Sequence, residues 1–234
     1  MDLAEYKTLA KYYDLFYQNK DYKEEVSFND KILRGKNKKT ILDVGCGTGS
    51  HLAFLEQLGY DCVGVDLNKE MLEVAKDKVK APLFQADMTN FKLDQAFDAV
   101  ICMYAAFNHL LTLEDAGRAL ECFGNHLNPG GLLLIDLYNP TGNGTKTERI
   151  ANLERTMEWK LDPKSRIETT KITFKVSEGT IITGHTMRGY KVEEMRQLFE
   201  SNGFNNFNAY ENYTLTKANP NSRNIEVIGL QKYL

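Results

Sequence analysis

An α/β fold organised around an open, mostly parallel sheet is what this 234-residue sequence predicts. Three observations carry that prediction. From Thr40 to Leu137 short apolar runs alternate with longer helical patterns. The runs are continuous rather than alternating in hydrophobicity, which implies strands buried on both faces. A glycine turn, "GCGTGS", stands directly between the first run and the first helical pattern. Strand, helix, strand in succession requires right-handed crossovers and therefore parallel pairing.

The strands of this half read, in order, as "TILDVG", "DCVGVDL", "APLFQAD", "FDAVICMY" and "GGLLLIDLY". Between them, "GSHLAFLEQLG", "NKEMLEVAKDKV" and "TLEDAGRALECFGNHL" place apolar residues three and four apart. The middle helix opens at Asn68, a good N-cap, and the last is followed by the turn Pro129-Gly130-Gly131. After Tyr138 the texture changes. "NPTGNGTKTE" reads as a turn-rich bridge, and "TMEWKLD", "RIETTKITFKVS" and "TIITGHTMRGY" read as antiparallel hairpin strands. A helix, "KVEEMRQLFESNG", follows with Gly203 in the C′ position, then strands near Asn206–Tyr210 and Asn224–Leu230. An insertion leaving the sheet after a strand's C-terminal end sits over the ligand crevice of an open α/β sheet, so the hairpins are expected to form a lid.

Hydrophobic residues make up 42% and charged residues 26% of the chain, values ordinary for a soluble globular protein. A formal net charge of −3 gives no general attraction to phosphate backbones or anionic lipid. The start, "MDLAEYKTLAKYYDLFY", is acid-containing and lacks the apolar core of a signal peptide. No segment approaches the roughly 18 consecutive apolar residues of a membrane span. The expected location is cytoplasmic. Cys46, Cys62, Cys102 and Cys122 are spread singly, which predicts small buried hydrophobes rather than a disulfide framework or a zinc site.

Gly45, Gly47 and Gly49 follow a strand and open a helix, where positive φ is needed and a ligand can lie against the backbone. Asp66 closes the second strand, where a carboxylate can accept from both hydroxyls of a ribose. Two ligands compete for such a turn. A dinucleotide calls for GxGxxG, but here the spacing is GxGxG and Ser50 stands where the third glycine belongs. Asp43, beside the turn, would repel a pyrophosphate and attract an ammonium group. A nucleoside with an amino acid at its other end fits both acids, and S-adenosylmethionine is that ligand.

"LDVGCGTG", "VDLN" and "QADM" resemble the cofactor motifs of class I S-adenosylmethionine-dependent methyltransferases. The resemblance implies a Rossmann-like, seven-stranded sheet with its last strand antiparallel, here Asn224–Leu230. It implies four regions: a helical cap over the cofactor pocket (1–39), the cofactor-binding core (40–140), the inserted β lid (141–190), and the last helix and strands (191–234). By the family's pattern Asp43 and the turn Gly45, Cys46, Gly47 and Gly49 would hold the methionine portion. Asp66 would hold the ribose, with Leu67 and Met71 on the adenine. Asp87 would accept from the adenine amino group beside Met88, and Met103 would lie near the sulfonium. The tyrosine-rich N-terminus is similar to that of amino-sugar N-methyltransferases, and Tyr13 and Tyr22 are its candidates to touch the cofactor.

The acceptor side is less determined. An amine must lose a proton before or during methyl transfer, so a general base helps. His109, with Asn108 in "CMYAAFNHLLTLED", is the histidine closest to the expected methyl position; the stretch looks like that of glycine N-methyltransferases, and a capping or packing role is the alternative. Tyr13 and Arg188 complete the catalytic candidates. Arg188 in "HTMRGY" can clamp an acceptor carboxylate or pair with an exposed acid. Trp159 and Phe174 read as lid core. Nucleic acid is a poor acceptor, because "CMYA" replaces the Asn/Asp-Pro-Pro-aromatic motif of base-amine methyltransferases and no basic stripe exists. No metal is expected: Asp136 is one conceivable oxygen ligand and has no second. The expected function is methylation of a small molecule, nitrogen before oxygen. An adenosine-ligand sensor and an NAD(P)-dependent oxidoreductase are the rivals, and monomer and homodimer both stay open.

Overall fold

The computed structural model describes residues 10, 12–150, 153–176 and 179–232. Helix α1 (Tyr22–Arg34) starts at Asp21, whose side chain accepts from the Glu24 amide at 2.8 Å. There follow β1 (Thr40–Val44), α2 (Ser50–Gln57), β2 (Asp61–Asp66), α3 (Lys69–Ala75), β3 (Leu83–Gln85), β4 (Phe97–Cys102), a 3-10 turn (Ala106–His109), α4 (Leu113–Asn125) and β5 (Leu127–Tyr138). Asn68 caps α3 as expected, accepting from the Met71 amide at 3.1 Å. Beyond β5 come β6 (Gly144–Ile150), β7 (Leu153–Asp162), β8 (Ile167–Val176), β9 (Gly179–Arg188), α5 (Val192–Ser201), β10 (Phe204–Glu211) and β11 (Asn224–Gln231).

The main sheet has seven strands in the order β10-β11-β5-β4-β1-β2-β3. β1 pairs in parallel with both β2 and β4, whereas β11 runs antiparallel to β5 and β10. The chain therefore winds outward in both directions from β1, and the crevice at such a reversal is where open α/β sheets hold ligands. Successive β1 side chains serve opposite faces: Leu42 and Val44 join one core cluster, Ile41 the other. That is why the run carries no polar alternation.

A second sheet, β6-β7-β8-β9, is antiparallel throughout. It contains one strand more than the sequence suggests. Gly144–Ile150, expected as part of a bridge, is an edge strand. Its "GTKTERI" places charged residues and threonines on an exposed edge, which protects against pairing with other chains but leaves no hydrophobic signal. The Pro129-Gly130-Gly131 turn is likewise absorbed into β5, with Gly130 at φ +72 and a register shift between Phe97 and Ala99 against it. A third apolar cluster joins Phe16 of the N-terminal segment to Leu153, Ile172 and Phe174 of the second sheet. Arg155, ion-paired with Glu148, lies over the rings of Phe16 and Tyr17. The N-terminal segment and the inserted sheet thus share one core. Among the described residues no helix is long and apolar enough to cross a membrane.

Candidate functional site

A cavity of about 660 Å³ lies where β1, β2 and β4 end; Gly45, Asp66 and Met103 line it at those ends. The glycine turn forms its floor. Gly45, Gly47 and Gly49 have φ of +78, +54 and +76, a region ordinary side chains rarely adopt. A Cβ at Gly45 would stand 2.6 Å from Ala106 Cβ, and one at Gly49 3.1 Å from Ala75 Cβ. At Gly47 nothing lies within 4 Å. Two of these glycines permit close packing, and the middle one keeps the cavity side open. The amides of Gly45 and Cys46 donate to Val65 O at 2.7 and 3.1 Å, fastening the turn to β2.

Asp66 is held rather than free. Its Oδ2 accepts from the Gly47 amide and its Oδ1 from the Asn68 amide, each at 2.8 Å. Burial raises its pKa, and these two bonds oppose the rise. Asp43 is different: it is 1% exposed, does not line the cavity, and neither carboxylate oxygen has a partner. Burial first, and the Asp66 charge second, push its pKa up to about 8. An orphaned buried carboxylate beside a backbone turn is a site that a cation would complete.

The remaining candidates separate into those at the wall and those away from it. Cys46, Leu67, Met71, Met88, Met103, Tyr13 and Tyr22 all line the cavity. Leu67 is 67% exposed, an apolar side chain on the cavity wall outside the core. Asp87 is off the wall, its Oδ1 accepting from the amide and hydroxyl of Thr89 at 2.8 Å each. Arg188 is also away from the wall, donating from Nη2 to Glu194 at 2.9 Å and stacking on Tyr190 at 4.6 Å. Of its two expected roles, the structure shows pairing with an acid. Asn108 is fully engaged: Nδ2 donates to the carbonyls of Tyr138 and Arg188 (2.8 and 2.7 Å) and Oδ1 accepts from the Tyr138 amide (3.0 Å). It ties the ends of β5 and β9 to the 3-10 turn.

His109 ends that turn at the cavity edge. The Thr186 backbone lies beside its ring, and the ring of His185 stands edge-on at 5.8 Å. Desolvation lowers its pKa, with the Thr186 bond acting against the shift.

Sequence reading missed four wall residues of consequence: Tyr104, His51, Thr48 and Gln85. Tyr104 and Ala105 sit at φ +55 and +56, strain of roughly 1–3 kcal/mol per residue that the surroundings must hold. Asp136 does so, accepting from the Tyr104 amide at 3.1 Å and from the Tyr213 hydroxyl. Burial raises Asp136 to about 6. His51, in the first turn of α2, donates or accepts at 2.7 Å with Glu25, which also pairs with Lys20. The Lys20 ammonium lies 4.2 and 4.3 Å over the Tyr22 and Tyr104 rings. The Thr48 hydroxyl donates to Asp14 at 2.7 Å. Only His51 had a usable signal, its place two residues after the last glycine.

A family model described as a methyltransferase domain matches residues 41–131, which carry the glycine turn, Asp66 and Met103. Over this stretch the chain resembles methyltransferase domains. The chain is 38% identical over 133 residues to dTDP-3-amino-3,4,6-trideoxy-alpha-D-glucopyranose N,N-dimethyltransferase of Streptomyces venezuelae, covering 54% of this chain and 56% of that protein. The chain spans about half the length of the curated relatives it matches. In solved structures the likeness extends further. An S-adenosylmethionine-dependent methyltransferase from Clostridium acetobutylicum superposes with a TM-score of 0.85 at 22% identity, covering 97% of this chain and 98% of that one. Streptomyces venezuelae DesVI gives 0.79 at 26%, covering 95% and 98%. The seven-stranded sheet is thus the methyltransferase fold, with its antiparallel last strand where the resemblance put it.

The buried acids of the main sheet make the protein's stability pH-dependent. A carboxyl whose pKa is raised on folding stabilises the protein fully below its unfolded value and loses that contribution as pH rises through the folded value. Asp43 and Glu226 both titrate near 8, each mainly through burial. The histidines with depressed values, His51, His109 and His185, contribute in the opposite sense, but only below their ordinary 6.5. Between pH 6.5 and 8 these two acids dominate, so urea denaturation of the ligand-free protein is expected to show stability falling by about 2 kcal/mol per pH unit. A flat or rising profile in that window would show that Asp43 and Glu226 are ionised throughout.

Proposed function

We propose that this protein transfers the methyl group of S-adenosylmethionine to the amine nitrogen of a small molecule. One observation carries the reading: His109, a neutral imidazole on a strained 3-10 turn, lines the same cavity as Asp66 and Met103. When bound, the cofactor supplies a methyl group on a positively charged sulfur. Asp66 would hold the ribose and Leu67, Met71 and Met88 would sheathe the adenine. Asp43 would offer its charge to the α-ammonium group, and Met103 would face the sulfur. The protein's contribution is to hold donor and acceptor in line, worth roughly 7–11 kcal/mol when well oriented, and to accept the amine's proton at His109. The matched relatives named as sugar N,N-dimethyltransferases support nitrogen, and an amino sugar is the first acceptor class to try. Asp43, Asp87 and Arg188, as placed here, lie off the cavity wall and would need a movement to reach a bound ligand.

Purified protein incubated with S-adenosylmethionine and a panel of amino sugars and small amines is expected to release S-adenosylhomocysteine with a methylated amine. Binding of the cofactor without release on any amine would favour a sensor. His109→Gln is expected to lower kcat by about 100-fold while leaving cofactor affinity unchanged, as calorimetry will show.

A further inference from the structure

The inserted sheet meets the acceptor side of the cavity at one place. β9 runs against the 3-10 turn that ends in His109, and it brings two consecutive residues there: His185, whose ring stands edge-on to that of His109 at 5.8 Å and 80°, and Thr186, whose backbone lies beside the His109 ring. We propose that His185 is a positioning residue, fixing the ring orientation and tautomer in which His109 can accept a proton from the acceptor. The inference rests on the reading of His109 as the group facing the amine.

The argument is one of degrees of freedom. Rotation of an imidazole about its outer torsion is broad and has no strong intrinsic minimum, so its orientation is set by what packs against it. The Thr186 backbone beside the ring favours its protonated form, as a carbonyl facing a ring N–H does. A ring that donates from one nitrogen in its neutral form must leave the other bare, and the partner of the first thereby selects the tautomer. A bare ring nitrogen beside the cavity accepts a proton; a ring turned over would present an N–H there and could not. The perpendicular His185 ring, centred 5.8 Å away, packs against the imidazole that would have to turn. His185 is itself held neutral, pushed down to about 4 by burial first and by the nearness of a second titratable ring, His109, next. It acts by shape and adds no charge. On β9 alternate residues serve opposite faces, so His185 and Arg188 look to different sides and only His185 meets the His109 ring.

Nitrogen-15 spectra of the ring nitrogens, with kinetics on an amine that the wild type methylates, test this. In the wild type, His109 is expected to show one protonated and one bare nitrogen. His185→Ala is expected to average the two and to lower kcat about tenfold, with cofactor affinity and thermal midpoint unchanged. His185→Phe, which keeps a flat ring but no nitrogen, is expected to restore the wild-type His109 pattern and most of kcat. Should the alanine variant unfold, His185→Leu takes its place. A His109 pattern unaltered by loss of the ring overturns the inference, as does a loss of rate that phenylalanine fails to rescue. Wild-type activity in His109→Gln would instead remove the reading of His109 as base, and the spectra would still report whether His185 orients it.

Discussion

Asp66→Asn is expected to weaken S-adenosylmethionine and S-adenosylhomocysteine binding by about 100-fold, because the carboxylate has two tasks and an amide can perform neither fully. Both oxygens already accept backbone amides, from Gly47 and Asn68. A side-chain amide has one acceptor oxygen, so either the glycine turn or the start of α3 would face an N–H instead of a lone pair. Leaving one such buried donor unpaired costs roughly 1–3 kcal/mol, and losing charge-assisted bonds to a ribose adds a similar amount. Part of the first cost falls on the free protein as well, so the expected net loss of affinity is about 2.7 kcal/mol. Titration calorimetry with both ligands checks it. Affinity within threefold of wild type would mean that Asp66 is only a brace for the turn. The substitution also removes the charge that helps push Asp43 up, so Asp43 is expected to titrate lower in the variant.

The contrast between Asp66 and Asp87 shows where sequence reading works and where it stops. The alternation of buried strands and amphipathic helices is a consequence of covering both faces of a sheet, and it could be read residue by residue. So could the turn, because positive φ at Gly45, Gly47 and Gly49 demands glycine and the acid closing β2 is a short step from it. These features are local. Asp87 was expected at the adenine and Arg188 at either an acceptor or an acid, and the side chains meet near neighbours, Thr89 and Glu194. Which of two available partners a charged side chain chooses depends on packing that no pattern records. Tyr104 was missed for the opposite reason: its place over the turn comes from two left-handed residues stabilised by Asp136, a contact from another strand. β6 was missed because an exposed edge strand buries nothing and so leaves no apolar mark.

Gly45→Ala carries the second large expected effect, and it separates the two jobs of the turn. At φ +78 an alanine costs about 1–2 kcal/mol in backbone strain alone. Its Cβ would also stand 2.6 Å from Ala106 Cβ, an atom fixed to its own backbone that no rotamer change can move. Relief requires shifting the 3-10 turn Ala106–His109, adding about 1–3 kcal/mol. A total near 3 kcal/mol lowers the thermal midpoint of a chain this size by roughly 6–12 °C. The same shift carries His109, so kcat is expected to fall in whatever fraction remains folded. Gly47→Ala is the control. At φ +54 it bears the backbone strain, but nothing lies within 4 Å of its added carbon except the space a ligand would fill. Its stability loss should stay near 1–2 kcal/mol while cofactor affinity drops far more than in Gly45→Ala. Scanning calorimetry and cofactor titration of both variants decide the matter. If the two substitutions cost the same stability and the same affinity, the division of the turn into a packing glycine and a ligand-facing glycine is wrong, and the close approach of Ala106 does not constrain the acceptor side.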